Sequence, residues 1–280
     1  MFVNSIMDSL AAGEADVALL EHVDIDSPLV GYASTLPSWM CSDHLTYPEV
    51  HRIRDMSGEA GTFLAGLSSH ARYKHRQRVR QLTKAFPDNR IERFRAADEI
   101  ARLMRDVESV AKRSYQRGLG VGFSETAHIE SRLEFEARQG WLRAFVLYLD
   151  GKPRAFWIGS IRNQTFLSDF LGFDPDYAQY SPGMYLLMNA LEEMSSDPSD
   201  GSVTSIDFGI GDAFYKERLS NRYYQEAPVY IFAPNMKAVG VNALRSAVGA
   251  LNRLAKYSLR TMPWLANVKR KWRAKLAQND

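Results

Sequence analysis

Between Trp141 and Phe173 the chain holds three apolar runs separated by two tight turns, a pattern that constrains the fold more than any other. Trp141–Leu149 ends at Asp150-Gly151, a pair suited to the left-handed backbone of a two-residue hairpin turn. Arg154–Ile161 returns, Arg162-Asn163-Gln164 turns the chain again, and Thr165–Phe173 completes an antiparallel meander. From Pro182 to about Ser195, Leu186, Leu187, Ala190, Leu191 and Met194 recur at helical spacing. A strand near Val203–Phe208, a short helix around Phe214–Leu219 and a last strand at Ala227–Ala233 follow. A helix between the third meander strand and a later strand makes a crossover. The expectation is an α+β fold: a mixed, mostly antiparallel sheet flanked by helices.

Upstream, a helix is predicted from about Leu64 to Phe86 and is stopped by Pro87-Asp88-Asn89. Ile91–Phe94 reads as a strand. Asp98–Tyr115 is an amphipathic helix with Ile100, Leu103, Met104, Val107 and Ala111 on one face. Thr126–Gln139 is another, closed by Gly140. Ser5–Leu20 has partial helical periodicity, and Pro28, Pro37 and Pro48 punctuate an irregular stretch after it. Three regions are expected: residues 1–60, a domain over 61–235, and a basic helical tail over 236–280.

Charge sharpens that division. Ten Lys or Arg lie between Lys237 and Lys275, and no acid intervenes between Glu226 and Asp280. Positions 1–226 thus keep 25 basic against 32 acidic residues, so the net charge of +2 hides an acidic body and a basic tail. Trp264 and Trp272 stand among Lys269, Arg270, Lys271, Arg273 and Lys275, a mixture suited to peripheral contact with an anionic membrane face. The helix over 70–84 has six Lys or Arg and no acid; it reads as a solvated face, with RNA, an anionic glycan or lipid phosphates as the alternative contacts, and nucleic acid is not the expected partner.

Cys41 is the only cysteine, which excludes an internal disulfide and a cysteine zinc site, and the six histidines form no His-Glu-x-x-His pattern. No metal is expected. With neither a signal peptide nor an apolar run of about 20 residues, the sequence suggests a cytoplasmic protein.

Ser181-Pro182-Gly183 is the candidate anion site. Ser181 suits the cap of the helix, Pro182 its first position, and Gly183 a close approach by ligand. Free N–H groups and the positive end of the helix dipole would hold a phosphate there.

Several segments in order carry a family resemblance. They are Leu67-Ser68-Ser69, the meander with Gly140-Trp141-Leu142-Arg143-Ala144 and Asp150-Gly151-Lys152-Pro153, and Phe166-Leu167-Ser168-Asp169-Phe170. Asp174-Pro175-Asp176-Tyr177, Tyr180-Ser181-Pro182-Gly183, Asp207-Phe208-Gly209, Gly211-Asp212 and Tyr215-Lys216 complete the set. Over roughly residues 60–235 the chain resembles GNAT-type acyltransferases labelled cellulose-biosynthesis (CelD-type) acetyltransferases, relatives of the Fem peptidyl transferases. The usual phosphate loop of GNAT enzymes, Gln or Arg, two residues, Gly, one residue, then Gly or Ala, is met here by Tyr180, Gly183 and Tyr185.

The resemblance implies acyl transfer from acetyl-CoA or another acyl-CoA to an amine or hydroxyl of a small molecule, sugar or amino acid, in polysaccharide or envelope metabolism. It implies that the third meander strand, around Phe170 and Gly172, offers backbone N–H groups to the thioester carbonyl. Gly172 would permit a bulge there. By strand alternation Asp169 shares a face with Leu167 and Leu171, and an inward carboxylate in apolar surroundings has the raised pKa that suits a base; the alternative is a structural Asp hydrogen-bonded to a neighbouring loop. Asp212 and Lys216, four apart on a helical turn, form an ion pair or position substrate. Asp207 braces the turn at Gly209–Gly211, and Tyr115 or Tyr180 protonates the leaving thiolate. A Fem-like transferase using aminoacyl-tRNA and a binding module without catalysis are the alternatives. Residues 1–60 would be what is left of a first GNAT-like half.

Overall fold

The computed structural model describes residues 2–35, 39–45, 47–56, 63–114, 122–196, 203–211 and 213–261. Tyr115, Asp212, and the tail with Trp264 and Trp272 lie outside the described residues. In chain order the elements are α1 (Phe2–Ala11), β1 (Val17–Asp24), α2 (Pro28–Ser34), β2 (Glu49–Asp55), α3 (Ser69–Ala85), β3 (Arg90–Phe94) and α4 (Ile100–Ala111). They continue with α5 (Ala127–Arg138), β4 (Leu142–Leu149), β5 (Lys152–Arg162), β6 (Thr165–Phe173), α6 (Pro182–Ser196), β7 (Ser205–Ile210), α7 (Phe214–Leu219), β8 (Arg222–Phe232) and α8 (Met236–Thr261). The chain divides into two compact units, Arg52–Tyr223 and a second made of Met1–His51 with Tyr224–Asp280.

In the unit Arg52–Tyr223, strands run in the order β7-β6-β5-β4-β3. The meander β4-β5-β6 is antiparallel, as its turns require: Asp150 (φ 50°) with Gly151 (φ 69°), and Asn163 (φ 48°) with Gln164 (φ 62°), all sit in the left-handed region of a hairpin turn. β6 and β7 are parallel, with α6 as the crossover. The sheet is therefore mixed and flanked by helices, the expected class.

Alternation sends the meander's side chains into two cores. Phe145, Leu147, Ala155, Trp157 and Phe166 pack with Leu82 of α3 and with Leu186, Leu187, Ala190, Leu191 and Met194 of α6. Ala144, Val146, Tyr148, Phe156 and Ile158 pack with Leu103, Met104 and Val107 of α4 and Leu133 of α5. A sheet covered on both faces explains why β4 is buried at every position. Caps fix the helix starts: Ser68 accepts the N–H of Ala71, and Thr126 that of Ile129.

The other unit has its own core, in which Val3 and Leu10 of α1 and Ala33 of α2 meet Val229, Ile231 and Phe232 of β8. β1 pairs antiparallel with β8, Val17 opposite Phe232. The helical periodicity of Ser5–Leu20 therefore holds only as far as Ala11. Gly13 (φ 79°) breaks it, and Val17–Leu20 becomes strand because β8 supplies the hydrogen bonds. The stretch expected to be irregular contains α2 and β2.

A candidate acyl-transfer site at the open edge of β6

β6 and β7 stay paired for three residues only, Thr165–Leu167 against Ser205–Asp207. Beyond Leu167 the parallel ladder stops, while β6 continues to Phe173 against β5. Asp174 N–H donates to the Arg154 carbonyl at 2.8 Å, which fixes the alternation of the antiparallel pair. Gly172 and Phe170 therefore direct their backbone groups to β5, and the N–H groups of Leu171 and Phe173 point to the open side. An unpaired strand edge of this kind is a row of preorganised donors and acceptors.

The bulge is not at Gly172. Ile158 pairs with Phe170 and Gly159 with Ser168, leaving Asp169 as the extra residue. The glycine that permits this is Gly159, where an added Cβ would lie 2.3 Å from the Leu167 carbonyl oxygen and 2.5 Å from the Phe166 ring. At Gly172 a Cβ would strike the Phe156 ring at 2.6 Å, so that glycine makes room for an aromatic of the core. Glycine inside an apolar strand run was the signal for a bulge, and it lay in Trp157-Ile158-Gly159-Ser160.

The bulge also redirects Asp169. Alternation placed it inward with Leu167 and Leu171; one extra residue breaks the alternation, and Asp169 is exposed and ion-paired with Arg132 of α5. The apolar setting expected for it is not found. Arg132 lies over the Phe170 ring, 5.5 Å from its centre, and 4.0 Å from Glu136 one helical turn on. Glu136 is buried, and burial pushes its carboxyl above the usual range, an effect that Arg132 and Arg162 oppose. Sequence reading missed Arg132 and Glu136: their i, i+4 spacing on α5 was visible, but not which strand residue they face.

Downstream, Asp174 is almost wholly buried, at 1% exposure. It accepts from Arg154 at 2.8 Å and from the Asp176 N–H at 3.2 Å, with Arg113 3.4 Å away. Arg154 in turn lies over the Tyr177 ring at 4.2 Å. Asp174-Pro175-Asp176-Tyr177 thus pins the 3-10 helix Pro175–Tyr180 that leads into α6. Tyr180 is half-buried, its ring edge-on to Phe86 of the same unit at 5.0 Å.

Ser181 departs from the extended conformation of a cap. Its φ is 52°, and it is the backbone carbonyl that accepts, from the Tyr185 N–H. Pro182 does open the helix. The first-turn N–H groups of Gly183 and Met184 have no carbonyl one turn back. A Cβ at Gly183 would sit 3.2 Å from the Phe173 ring, so glycine brings the last residue of the open strand edge against the tip of α6. Tyr185, at the last place of the phosphate-loop pattern, is buried and donates its hydroxyl to Asn89.

Lys216 projects from α7 and donates to the Ile210 carbonyl at 2.7 Å. Burial pushes its ammonium pKa down, and Asp207 opposes that. Asp207 accepts the Gly209 N–H at 2.7 Å and so braces the turn with Gly209 (φ 70°) and Gly211 (φ 103°). The bonds that hold Lys216 and those that hold Asp169 have no residue in common. The structure brings Phe173, the neighbour of Gly172, against Gly183 beside Pro182 and Ser181, while Phe170 packs on the other face of the sheet with Phe123 and Arg132; Lys216 lies in α7, with Asp212 outside the described residues. Among the described residues no cluster of His, Cys, Asp and Glu could hold a metal ion.

A family model described as an acetyltransferase (GNAT) domain matches residues 69–217, more than half of the chain. Among solved structures, one similar chain is the carboxyl-terminal domain (DUF2156) assigned to a lysylphosphatidylglycerol synthetase of Agrobacterium fabrum. It is 12% identical, with 87% of this chain and 75% of that one covered and a TM-score of 0.55. A conserved protein of unknown function from Bacteroides thetaiotaomicron is 15% identical, with 82% and 74% covered and a TM-score of 0.51. FemX is 10% identical, with 82% and 76% covered and a TM-score of 0.49. None of the curated proteins matches at a significant level.

Proposed function

Because the chain belongs to the acetyltransferase (GNAT) domain family, we propose that it transfers an acyl group, in the first instance acetyl, from coenzyme A to an amine or hydroxyl. The observation that carries this reading is the contact of Phe173 with Gly183, which sets an opened strand edge directly beside the start of a helix. The N–H groups of Leu171 and Phe173 on that edge would bind the thioester carbonyl and the oxyanion that forms from it. Those of Gly183 and Met184 would hold the pyrophosphate, the helix dipole adding to their pull. These donors come from backbone, so the phosphate-loop pattern can be relaxed at Tyr180 and Tyr185 without losing the site.

Asp169 stands two residues past the point where β6 leaves β7, and Arg132 holds its carboxylate in place. We assign it the acceptor's proton. Tyr180 is the candidate acid for the leaving thiolate. Lys216 positions the acceptor or the acyl group from α7, with Asp212, four residues earlier in sequence, assigned to assist it. The sequence resemblance to CelD-type acetyltransferases supports an acceptor drawn from sugars, amino acids or envelope precursors. A place of action at the cytoplasmic face of a membrane suits the basic carboxyl-terminal run.

Calorimetry with acetyl-CoA and longer acyl-CoAs, followed by free-CoA release against a panel of sugars, amino acids and cell-wall precursors, tests the reading. Binding is expected, with affinity cut about tenfold or more by Gly183→Trp while the far-UV CD spectrum is kept. Binding of charged tRNA with no response to any acyl-CoA would instead favour the Fem-like reading.

A further inference from the structure

Helix α8 has two unlike sides. One packs into its own unit: Ala238 and Asn242 are buried, Asn242 donates to the carbonyls of Met40 and Ser42, and Gly249 lies against Leu45 and Tyr47. The other carries Val241, Leu244, Val248 and Leu251, with exposures of 46, 67, 57 and 65%. At 100° per residue these four fall within an arc of about 80°, turned away from the buried side. Leu254 is exposed at 63% one turn on. Such a continuous apolar stripe is what an unsatisfied interface looks like.

Charge selects the occupant. From Lys237 to Lys275 the sequence places ten Lys or Arg on and after this helix and no Asp or Glu. Two of the ten are already paired, Lys237 with Asp16 and Arg245 with Asp43. A second copy of the helix would fit the 241/244/248/251 spacing, but it would bring like charges together with no acid to pair them. An anionic lipid surface meets both features: the stripe enters the acyl boundary, and the basic run Lys269–Lys275 that follows in sequence meets the headgroups. Among the described residues no helix is long and apolar enough to cross a membrane, so the helix would lie on the surface.

We infer that α8 is a docking element for anionic membrane, with Val241, Leu244, Val248 and Leu251 as the inserting face. This deepens the membrane-face setting named above and is independent of which group the protein transfers. The test is co-sedimentation of the full chain with vesicles of phosphatidylcholine containing about a third phosphatidylglycerol, against vesicles of phosphatidylcholine alone. Expected is binding to the anionic vesicles only, weakened at least tenfold by the double variant L244E/L251E and by 0.5 M salt. Both positions are exposed, so the variant should keep its CD spectrum and its response to CoA. Two results would overturn the proposal: equal sedimentation of wild type and variant, or no vesicle binding by a wild type that runs as a dimer in light scattering and becomes a monomer in the variant.

Discussion

Helix α6 buries nine of its fifteen residues, among them Leu186, Leu187, Ala190, Leu191 and Met194, whereas α8 leaves Val241, Leu244, Val248 and Leu251 in solvent. Both are apolar stripes at helical spacing and look alike in the sequence. What separates them is whether a facing surface exists within the same unit. α6 has the apolar side chains of β4 and β5 to cover it. Among the described residues the bare side of α8 has nothing of the kind, although Ala238 and Gly249 on its other side are packed. An amphipathic pattern therefore predicts a helix and its sidedness, and only the fold says whether that side builds a core or is kept for a partner.

The comparison breaks most visibly where α6 is anchored. Asp174→Ala removes the buried partner of Arg154 and should cost about 3–5 kcal/mol, read by chemical denaturation. Leu187→Ala in α6 should cost about 2–5 kcal/mol, whereas Leu244→Ala in α8 should stay within about 0.5 kcal/mol. Similar losses at the two leucines would mean that α8 is covered after all. Gly159→Ala should cost about 1–3 kcal/mol and disturb the bulge, with a drop in any transferase activity beyond the loss of folded protein.

A smaller effect is expected at His75 of α3, which is buried, with its Nδ1 unpartnered and its pKa held down by burial and then by Arg78. A folded-state pKa below the ordinary value of about 6.5 means that the unfolded chain binds the proton first. Stability should therefore rise with pH through the window just below pH 6.5 and fall on acidification. His75→Gln should flatten that part of the profile in a denaturation series from pH 5 to 8.

The meander was legible because its signals are local: apolar runs and turn pairs lie within a few residues of one another. So were the class of sheet and the short helix Phe214–Leu219. β1 was not, since its partner β8 is some two hundred residues away and helical periodicity in Ser5–Ala11 masks the change at Gly13. At the site, the helix at Pro182 was legible from its apolar spacing and start signals, and the opened edge from the family resemblance. The apolar setting expected for Asp169 fails because a bulge enabled by Gly159 on the neighbouring strand puts Leu171 on the other face from it, and Arg132 reaches it from a helix 37 residues earlier. Ser181 was misread for a related reason: a left-handed turn residue and a cap are written with the same amino acids.

Backbone amides at the β6 edge and the α6 tip are claimed to hold the donor, so amide hydrogen exchange with and without acetyl-CoA addresses them directly. Slower exchange is predicted at Leu171, Phe173, Gly183 and Met184 in the presence of ligand. Unchanged exchange at these four amides, under conditions where calorimetry shows the ligand bound, would contradict it.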